Sequence, residues 1–243
     1  MSSLSAQTQA NESTSFREGK STAYRLPDKS GFLVSSTSVR RGKGCIEQTF
    51  DKGFVTRTRS KRLRYFDEEI IAYQVNSTLH ISSSSACIGH ASGHVFELSR
   101  SPCSTESFYA TCDSHSQSFG DMAAEFLNHE VDVCDFVGYS DLFFAEVLEI
   151  LPKYRGAGLG AKFFRQVHLA LAQLFDLSTT IFVPFPLQFR NEHFYTAEAT
   201  NAERRAFRAS TKALSSYYQR SLGARVIWRK CDWLMIKAHQ THS

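Results

Sequence analysis

The sequence lacks the features that would place the chain in a membrane or send it through ordinary secretion. No run among its 243 residues approaches the roughly 20 consecutive apolar side chains of a membrane-spanning helix. Its first residues, MSSLSAQTQANESTSFREGK, contain no apolar core of a secretory signal peptide. We therefore expect a cytoplasmic protein without a membrane partner. A secreted effector that uses no ordinary signal peptide is the alternative.

Closely spaced metal-ligating or catalytic residues are also lacking. Cysteines stand at 45, 87, 103, 112, 134 and 231 without any CxxC spacing, which favours reduced thiols in an intracellular protein over a disulfide framework or a zinc site. His90, His94 and His115, with Asp113, match no standard metal-ligand spacing, so no metal is expected and the histidines are interpreted as solvated. The segment GYSDL at 138–142 is not GxSxG, which excludes a serine-hydrolase elbow.

The composition is that of a globular protein with a tail. Apolar residues make up 42% of the chain and aromatic residues 13%, enough for a sizeable core in one large domain. Residues 1–38 contain ten serines and four threonines and predict a flexible arm, so that the domain covers 39–243. The net charge of +4 is concentrated at 40–64, which carry nine Lys or Arg residues. We interpret this run as a solvated face or arm, with a nucleic-acid contact as the alternative.

Hydrophobic periodicity predicts mainly strands in the first half of the chain and a mixture of strands and helices in the second half. Short runs typical of strands are GFLVSSTSV, EEIIAYQV, TLHIS, GHVFELS and ESFYATC, which together span residues 31 to 112. A helix is predicted at 116–130. The C-terminal half predicts a strand at 142–150, a helix at 161–175, a strand at 179–185, a helix at 200–223 and two short strands within 224–237. Gly223 ends the last helix as a C′ residue.

The turn between strand 142–150 and the next helix contains three glycines behind an arginine, in LPKYRGAGLG at 151–160. The first N–H groups of a helix lack intrahelical partners and favour an anion, so this turn predicts a phosphate site. A Walker A loop is excluded because Phe163 stands where a hydroxyl is required. Gly156, Gly158 and Ala161 fit a dinucleotide fingerprint, but the next strand ends in VPFP without the acidic residue that this fold needs.

The pattern R-x-x-G-x-G of residues 155–160, preceded by Pro152, resembles motif A of the GCN5-related N-acetyltransferase (GNAT) superfamily. The resemblance is continuous over 142–175 and extends more weakly to 237, where YYQRSLGA and the closing strands are similar to motif B and the C-terminal hairpin. It implies an α/β fold: a twisted mixed, largely antiparallel sheet flanked by helices, with a splayed central strand pair. The acyl-CoA-binding core would cover about 142–237.

The resemblance also implies a set of residues that bind acetyl-CoA as co-substrate. The backbone near Leu148 and Ile150 would pair with the pantetheine arm, Arg155 and the N–H groups of 156–161 would hold the pyrophosphate, and Thr211 would contact pantetheine. The complete set is Leu148, Ile150, Leu151, Arg155, Gly156, Ala157, Gly158, Leu159, Gly160, Ala161 and Thr211.

The catalytic candidates implied by the resemblance are two carboxylates and a tyrosine. Acetyl transfer to an amine needs a base, and Glu146 and Glu149 are three apart, so they point to opposite faces of a regular strand. Glu149 is favoured because it lies nearer the loop, although a bulge would change this parity. Tyr218, chosen over Tyr217, would protonate the departing thiolate. It lies five residues before Gly223, whereas the family tyrosine lies four before its glycine.

These expectations describe an N-acetyltransferase that moves an acetyl group directly from acetyl-CoA to an amine on a small molecule, peptide or protein. The first half of the chain departs from the family plan, because no helix pair is visible between its first two strands. One alternative is a non-catalytic acyl-CoA-binding or interaction module with this fold, and another is a basic nucleic-acid-associated protein. The expected partners are acetyl-CoA and an amine acceptor, with a homodimer as a further option.

Overall fold

The structure, a computed structural model, describes residues 44–50, 53–63, 70–186, 189, 200–228 and 232–237. The arm at 1–38, its boundary with the domain at 39 and the strand predicted at 31–39 lie outside the described residues. The strands are β1 (Gly44–Phe50), β2 (Phe54–Arg62), β3 (Ala72–Ile81), β4 (Cys87–Phe96), β5 (Asp141–Ile150), β6 (Leu177–Phe182), β7 (Arg225–Val226) and β8 (Leu234–Lys237). The helices are α1 (Thr105–His115), α2 (Gln117–Asn128), α3 (Val133–Val137), α4 (Leu159–Leu174) and α5 (Asn201–Leu222).

The described strands form one mixed sheet in the order β1-β2-β3-β4-β5-β6-β8-β7. Adjacent strands are antiparallel except β5 and β6, which are parallel. The pairing of β5 with β6 ends at Ala145 and Phe182, although β5 continues to Ile150. This parting of two central strands, together with the mixed and largely antiparallel sheet, confirms the predicted fold class.

Helices cover both faces of the sheet. One core contains Phe163, Val167 and Leu171 of α4, packed against strand residues such as Val75 and Phe143. The opposite core is rich in phenylalanine and brings α1, α2 and α3 against β4, β5 and β6; its large members are Phe96, Phe108, Phe119, Phe126 and Phe144. Among the described residues, no helix is long and apolar enough to cross a membrane.

The helices of the first half lie in an unexpected place in the chain. All three fall between β4 and β5, and the structure describes no helix between β1, β2 and β3. ESFYATC, predicted as a strand, is instead the first two turns of α1, which makes that prediction wrong. Ser104 caps this helix by accepting a hydrogen bond from the Ser107 N–H, and Phe108 and Cys112, four apart, are both fully buried. Helical burial and the cap outweigh the β propensity of the segment.

Most other elements follow the sequence prediction closely. EEIIAYQV and TLHIS join into the single strand β3, and the elements from β5 to β8 agree with the predictions to within a few residues. The basic run at 40–64 contributes β1 and β2, which the sequence did not predict as strands. In β2 the buried positions are Thr56, Thr58 and Ser60 rather than apolar residues. The alternation of buried and exposed positions in β2 therefore produces no alternation of apolar and polar residues in the sequence.

Candidate functional site

The glycine turn places a helix N-terminus at the end of β5. A short 3-10 turn, Pro152–Tyr154, follows the strand, and Gly158 is the N-cap of α4. Gly156 and Gly158 have φ angles of +90° and +72°, which glycine adopts without steric cost. Nothing lies within 4 Å of a Cβ built on either glycine. The loop therefore leaves open space where a ligand can approach the first N–H groups of α4.

Arg155 is anchored at the foot of this loop. Its Nε donates a hydrogen bond to the Ile150 carbonyl at 2.7 Å, and its Nη2 lies 3.8 Å from Glu149 Oε1. The ion pair is about two-fifths exposed on both side chains. This anchoring fixes the guanidinium beside the open end of the loop, where it adds positive charge to the helix dipole.

A cleft of about 530 Å³ runs from the loop along β5 towards α5. Its size lies within the range of small-molecule sites. It is lined by Leu148, Ile150, Arg155, Gly156, Gly158, Leu159, Gly160, Phe185, Pro186, Ser210, Ala213, Leu214, Tyr217 and Tyr218. The fold thus brings most of the predicted coenzyme residues into one cleft.

Four predicted coenzyme residues lie outside that lining. Leu151 and Ala157 are exposed on the loop. Ala161 is buried and donates its N–H to the Tyr217 hydroxyl at 3.3 Å. The side chain of Thr211 is 4% exposed, and its hydroxyl has no hydrogen-bond partner in the described part of the chain. Its neighbour Ser210 lines the cleft instead, because adjacent helical residues point about 100° apart.

Where β5 and β6 part, a narrow slot of about 30 Å³ opens between the strands. Ala145, Glu146, Val147 and Leu148 line one side, and Phe182, Val183, Pro184 and Phe185 the other, with Phe164 and Tyr218 at its base. Leu148, Phe185 and Tyr218 line both the slot and the cleft. The slot therefore connects the cleft with the region around Glu146.

The two tyrosines of α5 occupy different positions. Tyr217 reaches the N-terminus of α4 through its bond with the Ala161 N–H. Tyr218 is 8% exposed and packs edge-on against Phe182, with the two ring centres 5.2 Å apart. Burial, with a smaller effect of Tyr217, raises the pKa of Tyr218. Its hydroxyl is therefore protonated at neutral pH.

A β-bulge changes the geometry of the two carboxylates. Ser92 is opposite Val147 and Gly93 is opposite Ala145, so Glu146 is the extra residue of β5. His90 lies opposite Glu149 in the strand pair, and Glu146 contacts His94. His90 and His94 are an even number of residues apart on β4, so their side chains point to the same face of the sheet. Both carboxylates therefore share one sheet face, and the expectation of opposite faces is wrong because the strand is not regular.

The two carboxylates differ in their surroundings on that face. Glu149 lies beside Arg155 and does not line the slot. Glu146 lines the slot, and its Oε1 accepts a hydrogen bond from the Ser118 hydroxyl at 3.3 Å. Of the two candidates, Glu146 is the one that faces the place where the strands part.

Histidines that the sequence analysis set aside gather around Glu146. His94 Nδ1 lies 3.0 Å from Glu146 Oε2. The rings of His94 and His115 both contact Phe119, the first edge-on and the second stacked. In the described part of the chain, no group of three or more His, Cys, Asp or Glu residues could hold a metal ion. Spacing in the sequence gave no indication of this cluster, because its members come from β4, β5, α1 and α2.

The comparisons with known proteins give structural neighbours only. No protein-family model and no curated protein matches the chain. An agmatine N-acetyltransferase, solved as a mutant in its apo form, is 11% identical with a TM-score of 0.39, over 67% of this chain and 76% of that one. The polyamine N-acetyltransferase of Drosophila melanogaster, which forms N-acetylagmatine, has the same identity and TM-score over 67% and 74%.

A mosquito arylalkylamine N-acetyltransferase-like protein, 5b, is 18% identical with a TM-score of 0.31. The match covers 47% of this chain and 54% of that one, so the chain spans about half the length of the mosquito protein. These are the proteins to which the chain is similar. By the order of its sheet and the parting of β5 from β6, its fold resembles that of the GCN5-related N-acetyltransferases.

Proposed function

We propose that the protein transfers an acetyl group from acetyl-CoA to an amine acceptor. The observation that carries this proposal is the slot between β5 and β6. It joins a cleft that begins at the N-terminus of α4 to a carboxylate on the other side of the sheet. A thioester in the slot would be reached by the coenzyme from one side and by the acceptor from the other.

The pyrophosphate would lie at the N-terminus of α4. Gly156 and Gly158 leave the space for it, and Arg155, held by the Ile150 carbonyl, supplies a positive charge. The pantetheine arm would extend along Leu148 and Ile150, where β5 has no strand partner on the β6 side among the described residues. Unpaired backbone groups there can hydrogen-bond the arm and polarise the thioester carbonyl.

The proposed chemistry is direct transfer. Glu146 would draw the proton from the acceptor ammonium, since an amine attacks a carbonyl only as the neutral base. Tyr218, which lines both slot and cleft, would give its proton to the departing thiolate. Glu149 would then have a supporting role, orienting Arg155 beside the loop.

Calorimetric titration with acetyl-CoA tests the coenzyme site. Gly158→Asp introduces a negative charge where the pyrophosphate should lie, and Gly158→Asn is the matched control because asparagine also tolerates the left-handed conformation. We expect micromolar binding by the wild type and by Gly158→Asn within about tenfold, and no detectable binding by Gly158→Asp, because like charges repel at short range. Thermal melting checks that all three are folded.

A folded wild type that binds no acetyl-CoA would overturn the proposal.

If the wild type binds acetyl-CoA, an acceptor screen then distinguishes an enzyme from a non-catalytic binding module. The screen uses agmatine, a polyamine, an arylalkylamine, an aminoglycoside and a lysine-containing peptide, with the acetylated product detected by mass spectrometry. Binding without product from any acceptor, and without acetyl-CoA hydrolysis, would support the module.

A further inference from the structure

The basic run at 40–64 contributes a row of cations to the sheet face that carries Glu146, and the proposed transfer leaves this row without a role. The row, which we call the basic row, consists of Arg57, Arg59 and Lys61, alternate residues of β2. We propose that the amine acceptor is a peptide with an acidic side chain, whose carboxylate lies on the basic row while its amine lies at Glu146. This inference rests on the proposed function and names the substrate class for it.

The register of the strands places the basic row and Glu146 on the same face of the sheet. Side chains of residues directly opposite one another in a strand pair lie on the same face. Three rows of opposite residues lead to β2: Glu149, His90, Thr78 and Arg57; Val147, Ser92, Asn76 and Arg59; and His94, Gln74 and Lys61. Since Glu146 contacts His94, the carboxylate and the cations share this face.

The helices leave the part of this face over β2 open. The core formed by α1, α2 and α3 reaches the start of β3 at Ala72, the end of β4 at Phe96, and β5 and β6, but it includes no described residue of β1 or β2. Helix α4 packs on the opposite face, where Val75 belongs to its core. A chain that approaches Glu146 from the acceptor side can therefore lie across β4, β3 and β2.

The basic row has more positive charge than its neighbours neutralise. Arg57 Nε lies 2.7 Å from Glu47 Oε2 on β1, and both side chains are almost half exposed. Arg59 and Lys61 are exposed and form no ion pair within the described part of the chain. Two of the three cations thus remain available to an anionic group. The row attracts an acidic side chain and repels a polycationic amine.

Between the basic row and Glu146 the sheet offers uncharged hydrogen-bonding groups. Gln74 and Asn76 are exposed, and Thr78 and Ser92 are half-buried. Side-chain amides both donate and accept hydrogen bonds. Each residue of a peptide brings one backbone donor and one acceptor, or an acceptor alone for proline. The strip therefore suits the backbone of a peptide better than an apolar acceptor.

The separation of the two ends sets the length of the acceptor. Strands β2 and β5 are three places apart in the sheet, about 14 Å at a spacing of about 4.8 Å. An extended peptide advances about 3.4 Å per residue, so its acidic side chain belongs roughly four residues from the amine. A peptide meets both the length and the charge requirement, whereas a polyamine has only cationic groups.

The test compares kcat/KM for three peptides that differ only in the residue four positions from the amine, which is Glu, Gln or Arg. Each is made with a free N-terminus and no lysine, and again with a blocked N-terminus and one lysine, so that the acetylated form identifies the amine. We expect the wild type to prefer the Glu peptide to the Gln peptide by about two- to thirtyfold, the effect of two exposed ion pairs, and to use the Arg peptide least. High salt should reduce this preference.

Charge reversal on β2 tests whether the basic row causes the preference. We expect the double variant Arg59→Glu, Lys61→Glu to use the Arg peptide better than the Glu peptide. The matched control is Arg165→Glu, Arg225→Glu, which changes the net charge equally. Its two positions are exposed on α4 and β7 and line neither the slot nor the cleft, so it should keep the wild-type order. Thermal melting checks that both variants are folded.

Several results would overturn the inference. One is equal kcat/KM for the three peptides in the wild type. Another is an unchanged preference for the Glu peptide after charge reversal on β2, which would place its carboxylate elsewhere. An equal loss for all three peptides in that variant would indicate a merely structural role. Salt-sensitive binding of duplex DNA, lost on charge reversal and without any peptide preference, would assign the basic row to nucleic acid.

Fluorescence anisotropy of the same peptides, labelled at the C-terminus, tests the surface without turnover. In the absence of acetyl-CoA we expect the affinity of the wild type to fall in the order Glu, Gln, Arg, and that of the β2 variant to follow the reverse order. Equal affinities would refute the inference whether or not the protein is active. The proposed function fails in a different way, by the absence of acetyl-CoA binding in the wild type, so the two failures are distinguishable.

Discussion

At the scale of single residues, Tyr217 and Tyr218 show how neighbours on one helix come to lie in different surroundings. Tyr217 lies half-buried at the cleft and contacts the first turn of α4 through the Ala161 N–H. Tyr218 is buried between Phe164 and Phe182 at the base of the slot. The 100° between successive helical residues turns Tyr217 towards the first turn of α4 and Tyr218 towards the base of the slot.

We expect Tyr218→Phe to lower kcat by about 100-fold, the low end of general acid–base effects, with the affinity for acetyl-CoA unchanged. The reason is that the variant removes the proposed proton donor of the thiolate but keeps the packing of the ring. Tyr217→Phe is the matched control and should change acetyl-CoA affinity more than kcat, because it frees the Ala161 N–H. Steady-state kinetics and calorimetry on both variants give these quantities, and a normal kcat for Tyr218→Phe would remove Tyr218 from the mechanism.

At the scale of secondary structure, the pair of β4 and β5 depends on a glycine opposite the bulge. A Cβ on Gly93 would lie 2.1 Å from the Phe144 carbonyl oxygen and 2.9 Å from the Ala145 Cα. Such contacts do not occur, and both atoms belong to the backbone, so the strands would have to separate. The bulge that sets the position of Glu146 therefore requires glycine at this point.

Gly93→Ala is expected to lower the free energy of unfolding by about 1–3 kcal/mol, the usual cost of overpacking. Gly160→Ala is the control, because its Cβ would meet only Ile150 Cγ1 at 3.7 Å and alanine favours a helix. Urea unfolding followed by circular dichroism measures both values. Equal stability of Gly93→Ala and the wild type would show that the strands accommodate the extra carbon.

At the scale of the whole molecule, a buried histidine links stability to pH. His168 of α4 is 8% exposed, and its Nδ1 contacts the Thr180 hydroxyl of β6 at 2.7 Å. Burial lowers its pKa from 6.5 to about 4. The unfolded chain therefore binds a proton more readily than the folded one between these values. The stabilisation is complete above pH 6.5 and is lost as the pH falls towards 4.

We expect the free energy of unfolding to fall by about 3 kcal/mol from this group between pH 7 and pH 4, since one pKa unit corresponds to about 1.4 kcal/mol. His168→Gln cannot titrate and should show a shallower pH dependence over this interval. Urea unfolding at a series of pH values, analysed as the difference between the two proteins, isolates the contribution of His168. Parallel curves would mean that His168 is protonated equally in both states.

How much of the molecule follows from the sequence also depends on scale. The loop and the helices α4 and α5 could be predicted because their determinants are local. Examples are the glycines that adopt positive φ at 156 and 158, and Gly223, which ends α5 with a φ of +68°. The strand predicted at ESFYATC was wrong, and β2 was missed, because burial by other elements decided both. Propensity within a short window carries no information about such partners.

The sequence by itself determined the order of the C-terminal elements and the position of the glycine turn before α4, since hydrophobic period, capping and glycine conformation act between residues close in the chain. Only the tertiary structure decided which face Glu146 occupies and which residues surround it. Strand register and the bulge depend on pairs such as Gly93 and Ala145, more than fifty positions apart. His94, Ser118 and Glu146 have no common pattern in the sequence, and they meet because three separate elements pack at one point of the sheet.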